Sequence, residues 1–192
     1  MPIADPCALL NTLLKNPRES EWLEFKKSYF DHEQIGKNIS ALANSAMLHE
    51  RDRAFIVWGV DNESRAKEGT KIRLANQKVG KIGKRPGENF ANWVSRKLRP
   101  QIRLEFEDFE CDGLKFSIIE IEPTYSRPVS FDDIEYVRVT ENTRKLSDHE
   151  ELARAIWLNT SRHRFEGAIA IRGLTLAQVL DKLDADGHYR LL

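Results

Sequence analysis

Residues 102–122 read IRLEFEDFECDGLKFSIIEIE, and the alternation within them decides the fold class. Ile102, Leu104 and Phe106 alternate with Arg103, Glu105 and Glu107, while Ile119 and Ile121 alternate with Glu120 and Glu122. A period of two suits a half-buried strand, because successive side chains leave opposite faces of the pleat. Asp112 and Gly113 stand between the two halves and suit the tight turn of a two-residue hairpin. The stretch therefore predicts antiparallel strands over 102–110 and 114–122.

Working outward, residues 54–60, AFIVWGV, form a continuous apolar run closed by Gly59, Asp61 and Asn62, as a central strand buried on both faces would. Residues 22–27 alternate, with Leu23 and Phe25 on one face and Trp22, Glu24 and Lys26 on the other. A further strand is expected over 135–139. Helical periodicity falls between these strands. Asp5 as N-cap, Pro6 at the first helical position and Leu9, Leu10, Leu13 and Leu14 predict a short helix stopped by Pro17. Asp31 with Gln34 resembles a capping box before Ile35, Ile39, Leu42, Ala43 and Ala46. Phe90, Trp93, Val94 and Leu98 trace a third helix ending at Pro100; residues 150–158 give a fourth, and Thr175 caps a fifth. Strands interleaved with helices predict an α+β fold, a mixed β-sheet flanked by helices.

The chain has 192 residues, with 30 basic and 30 acidic ones, so its formal net charge is zero. Overall charge thus gives no argument for a nucleic-acid partner. With 41% apolar and 31% charged residues, the composition is that of a soluble globular protein rather than a disordered one. No apolar run is long enough to cross a bilayer, and the N-terminal residues lack a basic segment followed by an apolar one. Two cysteines are too few for a disulfide framework, and the five histidines show no ligand spacing to them. The expectation is a reducing, cytoplasmic setting, no membrane and no structural metal.

Neutrality overall hides local division. Between Lys71 and Arg103 lie ten basic residues, Lys71, Arg73, Lys78, Lys81, Lys84, Arg85, Arg96, Lys97, Arg99 and Arg103, against one acid, Glu88. Residues 105–122 hold seven acids against Lys115. A basic stretch interspersed with Gly80, Gly83 and Gly87 suits a phosphate backbone through charge and close backbone approach. The alternative is a solvated loop followed by an ordinary surface helix. Residues 79–84, VGKIGK, do not make a nucleotide P-loop: only two residues separate the glycines, and Arg85 stands where Ser or Thr is needed.

Glu19 and Glu24 surround the start of one strand, and Asp61 follows the end of the buried one. Three carboxylates meeting at strand ends would call for Mg²⁺ or Mn²⁺, which would polarise a phosphodiester and activate water. Lys26, on the face of Glu24, would then stabilise charge developing on the phosphate. The alternative keeps all three acids structural, with Glu24 paired to Lys26 and Asp61 capping a loop. Asn44 in the second helix reads as a structural hydrogen-bonding group, Trp58 and Trp93 as core, and Arg138 as either a phosphate contact or a partner of Glu135 or Glu141.

ESEWLEFK at 19–26, ALANSA at 41–46, FIVWGVDN at 55–62 and EYVRV at 135–139, in this order and spacing, resemble the Schlafen-type AlbA domain over roughly residues 12–160. The resemblance implies a nucleic-acid-binding domain over 1–160 and an extension over 161–192 similar to the start of the region that follows it in longer bacterial proteins. Those bacterial relatives are described as DNA-binding or ATP-binding. In mammalian Schlafens the domain forms a duplicated, U-shaped core that cleaves tRNA and rRNA with two glutamates and an aspartate. Those roles fall on Glu19, Glu24 and Asp61. A single copy would need a homodimer to make a two-lobed groove. Two departures stand out. HERDR at 49–53 replaces the family's Gly-Gly before the central strand, and two cysteines leave no counterpart of the mammalian zinc site. Two functions follow from the resemblance: a metal-dependent endoribonuclease acting on tRNA or other structured RNA, or a non-catalytic DNA-binding module of a larger regulator.

Overall fold

The computed structural model describes residues 3–15, 20–82 and 85–166. Asp5 accepts from the Ala8 N–H and Pro6 opens the first helix, α1 (Pro6–Leu13), as the cap pattern requires. The main sheet contains β1 (Leu23–Lys26), β2 (Ala54–Trp58), β6 (Arg103–Cys111) and β7 (Leu114–Glu122), in the order β1-β2-β7-β6. β1 runs parallel to β2, with Glu24 beside Ile56 and Lys26 beside Trp58; the other pairings are antiparallel. The β6–β7 turn uses φ of +53° at Asp112 and +74° at Gly113, as the expected hairpin demands.

Alternate side chains divide the core between the faces of this sheet. Leu23, Phe25, Phe55, Val57, Phe116 and Ile118 pack with Leu10 and Leu13 of α1. Ala54, Ile56, Trp58, Ile119 and Ile121 pack instead with Ile35, Ile39, Leu42 and Ala46 of α2 (His32–Leu48). Both faces of β2 are buried, which is why its sequence shows no alternation. Phe90, Trp93 and Val94 of α3 (Phe90–Lys97) complete the second cluster.

A second sheet, ordered β10-β9-β8-β5, comprises β5 (Leu98–Arg99), β8 (Ser130–Phe131), β9 (Ile134–Val139) and β10 (Asn142–Lys145). α2 packs against strands of both sheets, so nearly every residue from Ile35 to Met47 is buried. Its polar residues satisfy backbone groups that the short β8–β9 pairing leaves open. Asn44 donates to the carbonyls of Val129 (2.8 Å) and Tyr136 (2.7 Å) and accepts from the Val129 N–H (2.7 Å). Ser40 donates to the Val129 carbonyl and accepts from Tyr136 N–H, and Ser45 accepts from Arg138 N–H. The expected structural role of Asn44 is thereby observed.

Three features depart from the sequence reading. Residues expected as a loop before the third helix form an antiparallel ribbon, β3 (Lys78–Ile82) with β4 (Arg85–Asn89), separate from both sheets. Residues 79–82 of VGKIGK thus lie on a ribbon strand. The second departure is a disulfide between Cys7 and Cys111, where the count of two cysteines argued against cross-linking. The third is α4 (Glu150–Glu166), longer than the helix expected over 150–158. The helix expected after Thr175 lies outside the described residues. Among those described, no helix is long and apolar enough to cross a membrane.

The HERDR turn is built without glycine. After α2, Glu50 adopts φ +52°, the Glu50 N–H bonds to the Met47 carbonyl and the Arg51 N–H to the Ala46 carbonyl (2.8 Å). This is a Schellman ending in which Glu50 takes the left-handed position that glycine usually fills.

Candidate nucleic-acid interface

Glu24 lies in the middle of β1 on the face covered by α2, and only 8% of it is exposed. Burial of a carboxylate demands compensation, and three groups supply it. Lys26 Nζ donates to Oε1 at 2.7 Å, Arg138 Nη1 lies 2.7 Å from Oε2, and Asn38 Nδ2 is 3.4 Å from Oε1. Asn38 is itself held, accepting from Gln34 Nε2 and Thr143 Oγ1, both at 2.9 Å. Arg138 comes from β9 and is 3% exposed, so its partner is the acid of β1 rather than Glu135, Glu141 or an external phosphate. Glu24–Lys26 pairing was the structural alternative in the sequence; the Arg138 contact had no signal there, because nothing in two distant strands indicates that one helix will bring them together.

Asp61 occupies a different setting, three residues past Trp58, beyond the carboxyl end of β2. Its Oδ1 accepts from the N–H groups of Glu63 and Ser64 and from Ser64 Oγ (2.7 Å), and its Oδ2 from Lys27 Nζ (3.3 Å). These bonds, led by the Ser64 N–H and hydroxyl with Lys27 next, hold its carboxyl well below the usual carboxylate range. Lys27 also pairs with Glu68 at 2.9 Å; Glu68 and then Asp61 raise its pKa. Glu24 and Asp61 are thus neutralised by separate cations.

Glu19 lies outside the described residues. Among the described ones, the only grouping of three or more metal-ligating side chains is Cys7, Cys111 and Asp112, two of which form the disulfide. A divalent ion needs carboxylate oxygens free to coordinate it, whereas Glu24 Oε1 accepts from Lys26, Glu24 Oε2 is ion-paired with Arg138, and Asp61 accepts from Lys27, Ser64 and backbone donors. Among the described residues, Glu24 and Asp61 do not come together as a metal-ligating group.

The basic residues differ in setting. Lys71 and Lys78 are exposed, the first on the loop before the ribbon and the second at the start of β3. Lys81 and Arg85 lie on the ribbon strands; Lys84 is outside the described residues. Arg96, Lys97 and Arg99 surround the end of α3, but differ in availability. Lys97 pairs with Asp132 and with Glu33 (3.5 Å), and its ammonium lies 4.7 Å from the Trp93 ring centre; burial lowers its pKa, and these acids outweigh that effect and raise it. Arg96 pairs with Glu88 at 2.7 Å, though it stays exposed, and Arg99 donates to the carbonyls of Arg96 and Leu98. Arg73 donates to the Ile72 and Phe116 carbonyls, fastening the loop to β7.

The ribbon owes its shape to its glycines. Gly80 has φ +69° with open space around its Cα, and a Cβ on Gly87 would overlap the carbonyl oxygens of Val79 and Gly80. Glycine is therefore required where the two backbones approach. At the ribbon's base, Asp108 accepts from the N–H groups of Leu74 (2.9 Å) and Ala75 (3.1 Å) and from Ser117 Oγ, so part of the acidic run anchors the basic one. Trp58 and Trp93 are core residues, as expected, with the Trp58 indole donating to the Tyr29 carbonyl.

A family model described as Schlafen, AlbA_2 matches residues 19–147. No curated protein matches the sequence. Among solved structures, the chain is similar to the crystal structure of the DIP2311 protein from Corynebacterium diphtheriae, at 10% identity and a TM-score of 0.44, over 72% of this chain and 26% of that one. It is also similar to the solution structure of the N-terminal domain of a RecG-related protein from Nitrosomonas europaea, at 17% identity and a TM-score of 0.37, over 64% and 75% of the two chains. The chain thus spans about a quarter of the length of the first of these proteins.

Proposed function

Because the chain belongs to the Schlafen AlbA_2 family, we propose that it is a nucleic-acid-binding module whose contact surface is the β3–β4 ribbon. The observation that carries this reading is a two-stranded ribbon, separate from both four-stranded sheets, whose strands include Lys78, Lys81 and Arg85. Ribbons of this kind fit a nucleic-acid groove, and Lys78, Lys81, Lys84 and Arg85 supply the charge that displaces counterions from phosphates. Lys71, Arg96 and Arg99 extend the basic character on either side, while Lys97 and Arg73 serve the fold. Gly80, exposed and with open space beside its Cα, leaves backbone where a phosphate can approach.

Binding of this type needs no metal. With Glu24 committed to Lys26 and Arg138, the acids of β1 and the Asp61 turn support the module rather than act on its ligand. Structured RNA and duplex DNA are both ligands by charge, and a second copy of the chain would double the surface. The test is anisotropy of labelled duplex DNA and of tRNA with the full chain at low salt, in chelator and in Mn²⁺. Binding that persists in chelator is expected; no binding to either would overturn the reading. Mn²⁺-dependent cutting of tRNA that is lost in both Glu24→Gln and Asp61→Asn would instead assign Glu19, Glu24 and Asp61 to metal-dependent endoribonuclease chemistry, with Lys26 beside them.

A further inference from the structure

We propose that Cys7 and Cys111 form a reversible thiol–disulfide site, in which Lys67 receives the leaving thiolate and reduction releases α1 from the main sheet. The two cysteines are 104 positions apart, and their bond joins the first turn of α1 to the end of β6. They are not equivalent. Cys7 is half-buried at the amino end of a helix, where backbone N–H groups favour a negative sulfur, whereas Cys111 is 3% exposed. An incoming thiolate therefore reaches Cys7.

Lys67 makes the other sulfur a competent leaving group. Its Nζ stands 3.7 Å from Cys111 Sγ and donates at 2.6 Å to both Asp112 Oδ2 and Asn11 Oδ1. A fixed ammonium beside a thiol favours the thiolate, and a better-stabilised leaving thiolate departs faster. The same ammonium occupies the cation's place in this group of sulfurs and carboxylate, which argues for redox chemistry over a bound metal. Lys67 also bridges α1 at Asn11 to the hairpin turn at Asp112, so one side chain senses both partners.

The co-reactant is a dithiol. One of its thiolates attacks Cys7 Sγ and forms a mixed disulfide, while the electron pair of the broken S–S bond leaves on Cys111 Sγ beside Lys67. Its second thiolate then attacks the sulfur it shares with Cys7, releasing Cys7 and leaving as a cyclic disulfide. Two electrons pass from the dithiol to the protein; of its two protons, one rests on Cys7 and the other goes to solvent while Cys111 remains a thiolate. What then holds α1 is the packing of Leu10 and Leu13 on Leu23, Phe25, Phe116 and Ile118, with the single Asn11–Lys67 hydrogen bond.

The experiment uses the full oxidised chain treated with dithiothreitol, with free thiols counted by alkylation and mass, in wild type, Lys67→Met and Lys67→Arg. Reduction roughly tenfold slower in Lys67→Met, rescued in Lys67→Arg, is expected. The reduced wild type should also show thiolate absorbance at neutral pH that Lys67→Met lacks. Hydrogen exchange of residues 6–13 should rise on reduction while that of β2 and β7 does not. Alkylation of both cysteines without reductant, equal rates in the three proteins, or unchanged exchange in α1 would each overturn the proposal.

Discussion

Arg138 Nη1 lies 2.7 Å from Glu24 Oε2, so the acid at the middle of β1 is neutralised by a guanidinium from the second sheet, across the flank of α2. Both side chains are nearly excluded from water. Removing one partner of a buried pair strands the other charge and costs about 3–5 kcal/mol, whereas removing both costs much less. Arg138→Met and Glu24→Gln should each lower urea-unfolding stability by that amount, and the double variant by less than their sum. Additive losses would show that the pair is not coupled.

The Glu50 ending of α2 predicts a gain. A non-glycine residue at φ +52° carries strain of roughly 1 kcal/mol that glycine avoids. Glu50→Gly should raise the thermal midpoint, measured by calorimetry, without altering secondary structure. A lowered midpoint would mean that the carboxylate itself stabilises this turn.

Asp61 predicts an acid limb. Its folded-state pKa lies below its ordinary value of 3.8, so the unfolded chain takes up this proton first as pH falls. The stabilisation is fully present above the unfolded value, and is lost as pH drops from there through the folded value. The difference in stability between wild type and Asp61→Asn should hold constant at neutral pH and shrink below about pH 4. A difference that grows on acidification would contradict the assigned contacts with Ser64 and Lys27.

Gly87 offers a way to disturb the ribbon alone. A methyl group there would strike the Val79 and Gly80 carbonyls, which belong to neither four-stranded sheet, although the Val79 side chain touches the edge of the core. Gly87→Ala should weaken nucleic-acid binding by roughly tenfold or more while leaving the main unfolding transition close to that of wild type. Full retention of affinity would place the contact surface elsewhere.

Elements with a strong period were legible. The β6–β7 hairpin followed from alternation and its Asp-Gly turn; α1 and α2 followed from caps and apolar spacing; β2 followed from an unbroken apolar run. The ribbon was not, because Lys, Gly, Arg and Pro carry little strand propensity and its two strands pair only with each other. β10 shows a similar limit, since Asn142, Thr143, Arg144 and Lys145 present no apolar face. At the candidate site, the Glu24–Lys26 pair was readable from strand alternation. Arg138 was not, since α2 had first to align β9 beside β1. Cys7 and Cys111 were equally silent, because the proximity of sulfurs so distant in sequence is a property of the packed fold alone.

The central claim concerns charge on the β3–β4 ribbon, and the salt dependence of binding measures it most directly. Titrations of duplex DNA across a range of salt concentrations should give a linear fall of log K with log salt for the wild-type chain. Replacing Lys78, Lys81, Lys84 and Arg85 together by glutamine should reduce the magnitude of that slope by about 3 to 4, at unchanged thermal stability. An unaltered slope in the fourfold variant would contradict the account.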